Sequence, residues 1–242
     1  MTRAIISAIT ASFTVFSMIL SACGIVPPQA PAAEPYDYSQ PVPEGDLMGE
    51  EWFDDSAIIG HSLMEGFEGF AGVYSNITYF TSTGLSAAGT LGYSKFDLPD
   101  GGTGTLKKGL SQREFSKFYI MLGINEITAS DSRFKSNMKG IVDAIRESQP
   151  DAPIYIMSIT PTTEKKSANS PFNKENVLRL NAVLQELCEE EECYYVDLYT
   201  CFADDNGYLP ADKSTDGVHV TAPQYKVMAD YLKSHTVQEP ED

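Results

Sequence analysis

From Trp52 onward the chain alternates short apolar runs with longer stretches in which apolar residues recur every three or four positions. The short runs are Ser56–Gly60, Ile77–Thr81, Lys117–Leu122, Pro153–Ile159 and Cys193–Leu198, and their length and apolar content predict strands. Helical spacing marks Phe134–Glu147, with Met138, Ile141 and Ile145 on one face, and Lys174–Cys188, with Val177, Leu180, Leu184 and Leu187. A last helix is predicted to start near Pro223, a residue suited to the first helical turn, and to present Tyr225, Met228, Ala229 and Leu232 to a core. Strand alternating with helix predicts an α/β fold with a parallel sheet covered on both faces, and in such sheets reactive groups gather at the carboxyl ends of the strands.

The first fifty residues break this pattern. A basic Arg3, an apolar run from Ala4 to Leu20 and the small residues before Cys23 read as a secretory signal over residues 1–22. The four residues Leu20-Ser21-Ala22-Cys23 resemble the lipobox of bacterial lipoproteins, which implies cleavage before Cys23 and lipid attachment to its sulfur. An uncleaved membrane anchor, or a simple secretory signal with a chance cysteine, is the alternative; each places the remaining chain outside the cytoplasm, and the lipoprotein form ties it to the outer face of the membrane. Six prolines between Val26 and Asp46 make residues 23–50 a linker. At about 3.1 Å per residue such a segment reaches up to roughly 60 Å from a bilayer. One domain over residues 51–236 and an acidic tail over 237–242 complete the predicted organisation.

Charge narrows the partners. With 17 Lys and Arg against 34 Asp and Glu, the formal charge is −17, which repels phosphate backbones and anionic headgroups; nucleic acid is excluded as a partner and neutral substrates fit better. After Cys23 the cysteines are Cys188, Cys193 and Cys201, with no CxxC pair to suggest a zinc ribbon or a thioredoxin-type site. They permit at most one internal disulfide, and the spacing does not say which.

Four places carry candidate chemistry. The first strand runs into Gly60-His61-Ser62-Leu63, which sets the Ser62 hydroxyl at the sheet's carboxyl edge and at a helix N-terminus; Ser62 reads equally as a helix cap, with Glu65 completing a capping box. Asp216-Gly217-Val218-His219 places an acid three residues before a histidine, so that a turn there lets the carboxylate orient the ring; a surface histidine is the alternative. Gly84 follows the second strand and Asn125 the third. A backbone N–H at a glycine and a side-chain amide are the donors that a developing oxyanion requires, although turns also favour both residues.

Together these blocks resemble the SGNH hydrolases, also known as GDSL-like lipases and acylhydrolases, whose Ser, Gly, Asn and His match Ser62, Gly84, Asn125 and His219 in order between about Ala57 and Tyr231. The resemblance implies a three-layer α/β/α sandwich with a five-stranded parallel sheet of flavodoxin-like type. It implies a catalytic set of Ser62, His219 and Asp216, an oxyanion hole from Ser62, Gly84 and Asn125, and no metal or organic cofactor. Two positions depart from the family: His61 stands where aspartate is usual, and Glu126 follows the asparagine where aspartate is common. His61 could act as a second base or mark weakened activity. The expected substrate is a small acyl ester, chiefly acetyl, on envelope or environmental carbohydrate, with Phe67, Phe70, Tyr74, Tyr93 and Phe96 as candidate sugar-stacking residues in loops. A lysophospholipase or lipase, and a non-catalytic glycan-binding lipoprotein, are the alternatives.

Overall fold

Ala57-Ile58-Ile59-Gly60 carries no polar side chain because all four residues are buried, with the sheet covered on both sides. In the computed structural model, residues 36–73 and 75–238 are described; the predicted signal, Cys23, the first part of the linker, Tyr74 and the last residues of the acidic tail lie outside them. Seven strands are described: β1 (Ala57–Gly60), β2 (Thr78–Thr81), β3 (Phe96–Asp97), β4 (Thr103–Gly104), β5 (Phe118–Met121), β6 (Ile154–Met157) and β7 (Tyr194–Val196). Five of them form one parallel sheet in the order β2-β1-β5-β6-β7, while β3 and β4 make a small antiparallel hairpin.

The helices are α1 (Ser62–Phe70), α2 (Ala87–Leu91), α3 (Leu106–Leu110), α4 (Asp131–Ser148), α5 (Glu164–Ala168), α6 (Lys174–Glu191), α7 (Leu198–Phe202) and α8 (Ala222–Ser234). On one side of the sheet Ile59, Ile120 and Ile156 pack with Phe134, Met138 and Ile141 of α4 and Val177, Leu180 and Leu184 of α6. On the other side α1 packs against α8. There the register aligns Tyr119, Tyr155 and Tyr194, whose neighbouring rings lie 4.9 Å apart, and Phe53 joins Tyr119 to Phe67 of α1. The predicted three-layer α/β/α sandwich is therefore the observed one, and side chains of period two on the strands meet helices of period 3.6 on both faces.

Most boundaries shift by one to three residues from expectation, and three of the differences have an identifiable bond behind them. The compact unit begins at Asp37 rather than Glu51, because the end of the proline-rich segment is docked on the sheet's edge. Val42 N–H donates to Tyr195 O at 2.8 Å, Gly45 N–H donates to Ser234 O at 2.7 Å, and the Tyr38 ring lies 5.4 Å from that of Tyr194. This covers β7, whose outer side would otherwise be an unpaired edge. At the other end Val237 N–H donates to the Tyr155 hydroxyl at 3.2 Å, so the first residue assigned to the acidic tail is held to the domain. The last predicted strand stops at Val196 instead of Leu198, since the Asp197 carboxylate accepts from Thr200 N–H at 3.2 Å and starts α7. Cys188, Cys193 and Cys201 are free thiols, and burial pushes Cys193 up to about 11 and Cys201 up to about 12.

Candidate active site

The turn after β1 is tight because Gly60 has no side chain: a Cβ there would lie 2.3 Å from Met64 Cγ in the first turn of α1. His61, not Ser62, occupies the cap position, and its Nδ1 accepts from Leu63 N–H at 3.4 Å. Nor does Glu65 complete a capping box; it accepts from the Thr83 hydroxyl at 2.5 Å and joins α1 to the turn after β2. Ser62 is thereby the first helical residue, and its Oγ lies 2.7 Å from His219 Nε2.

His219 is presented by a loop closed on itself. Asp216 Oδ1 accepts from Val218 N–H at 2.9 Å and His219 N–H at 2.8 Å, while Oδ2 lies 2.7 Å from His219 Nδ1. Gly217 makes this turn possible at φ +95°, and Ser214 ties it by accepting from Gly217 N–H at 2.8 Å and donating to His219 O at 2.9 Å. Burial raises the Asp216 carboxyl, but the backbone N–H and ring of His219 and the N–H of Val218 together outweigh it and draw it down to about 2. Asp216 is thus a carboxylate at neutral pH and fixes the ring with Nε2 facing Ser62.

On the opposite side, Asn125 stands on a short turn after β5 and its Nδ2 donates to Leu85 O at 3.0 Å. Glu126, the departure from the family's aspartate, accepts from Ala87 N–H at 2.6 Å and so holds the start of α2. Gly84 adopts φ +77° in an exposed turn closed by Leu85 N–H donating to Ser82 O at 3.0 Å. Ser62, Asn125, Asp216 and His219 line one pocket of about 160 Å³ with His61, Leu63, Ile124, Lys166, Phe172 and Val218; Gly84 is not among its lining residues.

His61 is 1% exposed, and its Nε2 has no hydrogen-bond partner among the described residues. Burial, helped by the charge of His219, lowers it to about 4, so the ring is neutral at pH 7 and stands outside the Ser62–His219–Asp216 chain. Two of the expected sugar-stacking aromatics are structural instead: Phe67 lies inside α1 and Phe96 in β3, both buried. Phe70 and Tyr93 are 61% and 77% exposed, and Phe70 stacks on Tyr225 at 6.0 Å. Lys166 had no signal in the sequence, because α5 contributes no buried residue and so shows no apolar period, and Phe172 lies in the connection between α5 and α6.

Residues 58–227 match the profile of the GDSL-like Lipase/Acylhydrolase family. Among solved structures the chain is similar to an acetyl xylan esterase, at 11% identity and a TM-score of 0.58 over 75% of this chain and 99% of that one. It is similar to a GDSL-like lipase from Bacteroides thetaiotaomicron, at 13% identity and a TM-score of 0.57 over 78% and 89% of the two chains. A carbohydrate acetylesterase family member from Sinorhizobium meliloti aligns at 16% identity and a TM-score of 0.52 over 74% and 95%. No curated protein sequence matches the chain.

Proposed function

Because the chain belongs to the GDSL-like lipase/acylhydrolase, or SGNH, family of ester hydrolases, we propose that Ser62, His219 and Asp216 remove small acyl groups, chiefly acetyl, from carbohydrate in or near the cell envelope. The observation that carries this reading is the unbroken chain of contacts from Ser62 Oγ to His219 Nε2 and from His219 Nδ1 to Asp216, each 2.7 Å long. Ser62 Oγ attacks the ester carbonyl as its proton passes to His219 Nε2, and Asp216 stabilises the imidazolium. The oxyanion is received by the N–H group of Ser62 and by the Asn125 amide, which has a second hydrogen besides the one given to Leu85; Gly84, expected as a third donor, does not line this pocket. His219 then returns the proton to the leaving alcohol, and water, deprotonated by the same nitrogen, releases the acid from Ser62.

The pocket size is compatible with a short acyl group, since about 160 Å³ accommodates acetyl. The alcohol is assigned to carbohydrate on the chemistry of similar structures, an acetyl xylan esterase and a carbohydrate acetylesterase family member. Attachment through lipid at Cys23 and a place outside the cytoplasm are part of the same proposal and rest on the signal-like segment and its Leu-Ser-Ala-Cys end.

Hydrolysis of p-nitrophenyl acetate by the full-length protein and its Ser62→Ala variant is the direct test, with a loss of about 10⁴-fold expected. Equal rates would remove the proposal. Faster turnover of octanoyl than acetyl esters would redirect it to a lipase. Cys23→Ala is expected to move the protein from the membrane to the soluble fraction; retention would favour an uncleaved anchor.

A further inference from the structure

Lys166 stands in the catalytic pocket with no part in the proposed proton transfers. Its backbone is fixed against the His219 loop. Thr163, which caps α5, donates its N–H to Gly217 O at 2.9 Å, and a Cβ placed on Gly217 would lie 2.8 Å from Lys166 Cβ. The Lys166 stem is therefore packed on the turn between Asp216 and His219, and its ammonium lies 5.1 Å from the centre of the Phe172 ring. Among the described residues this ammonium makes no ion pair. The acid beside it, Asp216, is already engaged by two backbone N–H groups and the imidazole.

Lys166 and Asp216 also line a second, larger cleft of about 940 Å³, whose polar wall includes Thr163, Asn169, Tyr208 and Thr215. The chemistry says which part of a substrate belongs there. His219 must hand its proton to the leaving alcohol, so that alcohol lies on the imidazole side of Ser62, while the acyl oxygen lies on the Asn125 side. The imidazole side is where Lys166 and this cleft are found. A sugar leaving from Ser62 thus passes an ammonium that makes no ion pair among the described residues, although Glu164, Asp204 and Asp216 line the same cleft.

We infer that Lys166 is a specificity residue that reads a carboxylate on the esterified sugar, so that the preferred substrates are acyl esters of acidic glycans. The inference rests on the proposed ester hydrolysis at Ser62. It does not conflict with the chain's formal charge of −17. Distributed surface charge is screened beyond about 8 Å at physiological salt, whereas a carboxylate in contact with Lys166 is not. A single ammonium flanked by Glu164 and Asp216 suits a monoanion better than a phosphate dianion.

The test compares a mono-O-acetylated methyl glycoside of galacturonic acid with its neutral uronic methyl ester, using the full-length protein. O-acetylated N-acetylmuramic acid serves as a second carboxylated sugar and distinguishes a uronate from a lactyl carboxylate. The wild type is expected to show kcat/KM about tenfold higher for the free acid than for the methyl ester. The ratio should fall to about one in Lys166→Met, which keeps an unbranched apolar stem without the charge, and below one in Lys166→Glu. Each ratio is internal to one variant, so a loss of folded protein cancels. A wild-type ratio of one, or a ratio unchanged in Lys166→Met, overturns the role of Lys166. p-Nitrophenyl acetate, measured alongside, separates the two proposals: if it is hydrolysed while acid and ester are treated alike, only Lys166 falls, and if it is not hydrolysed, the esterase reading falls and this inference with it.

Discussion

The two sides of the candidate active site are built differently. On the imidazole side, Asp216 and His219 are three residues apart, and the bonds that orient the ring lie within Ser214–His219. On the amide side, Asn125 holds Leu85 across 40 residues of sequence and Glu126 holds Ala87 across 39. A loop closed by its own side chains keeps its shape when its surroundings loosen, whereas cross-links between distant segments fail when either segment moves. The imidazole side therefore brings its geometry with it, and the amide side depends on the packing of β2, β5 and α2.

The largest effects should come from breaking each side at its centre. Asp216→Asn preserves an acceptor for the Val218 and His219 N–H groups but turns an amide toward His219 Nδ1, which disfavours the tautomer that leaves Nε2 free; kcat/KM on p-nitrophenyl acetate should fall by about 10³- to 10⁴-fold. Asn125→Ala removes one oxyanion donor and should cost about 10²- to 10³-fold. If the asparagine substitution at 216 proves the milder of the two, the ring is held by something other than Asp216 and the comparison is wrong.

That contrast also explains what could be read from the chain. Strands buried on both faces and long amphipathic helices are written in apolar periodicity, and α4, α6 and α8 lie where Met138, Leu180 and Met228 predict them. The Asp216–His219 spacing was informative because the bonds that use it are local. Gly84 and Asn125 could be singled out only as donors at predicted strand ends, and their role came from the family resemblance, since the Asn125 bond depends on how β1 and β5 pair, a non-local fact. α2, α3, α5 and α7 are five-residue helices, too short for a period to register, and Lys166 is hidden for that reason. The expected linker fared worse at its end: prolines announce an extended segment, but they do not say that Val42 N–H will find Tyr195 O on an open sheet edge.

His61 lies beside Ser62, between the two sides, and links the site to stability. Its native value is lowered to about 4 by burial and by His219, against about 6.5 in the unfolded chain. Between those values the unfolded state binds a proton that the native state does not, so stability is complete above about pH 6.5 and falls as the pH drops toward 4. At pH 5 the loss should be about 2 kcal/mol, read as a lower urea midpoint than at pH 7. His61→Asn retains a good helix cap without a titrating ring and should flatten this dependence. An unchanged slope would mean that the ring accepts a proton in place and is not sealed in the fold.

The smallest effect expected is the most specific to the amide side. Glu126 does not line the pocket, so its carboxylate acts through Ala87 N–H and the start of α2, next to the Leu85 carbonyl that Asn125 holds. Loosening that contact should misplace the oxyanion donors by a fraction of an ångström and reduce kcat by about tenfold with little change in KM, because a short acetyl ester is bound mainly through groups elsewhere in the pocket. Glu126→Gln keeps an oxygen acceptor of the same reach and should recover most of the rate, whereas Glu126→Asp, one methylene shorter, should not. If the alanine, glutamine and aspartate variants all turn over like the wild type, α2 is positioned without this bond, and the amide side is as self-sufficient as the loop that carries His219.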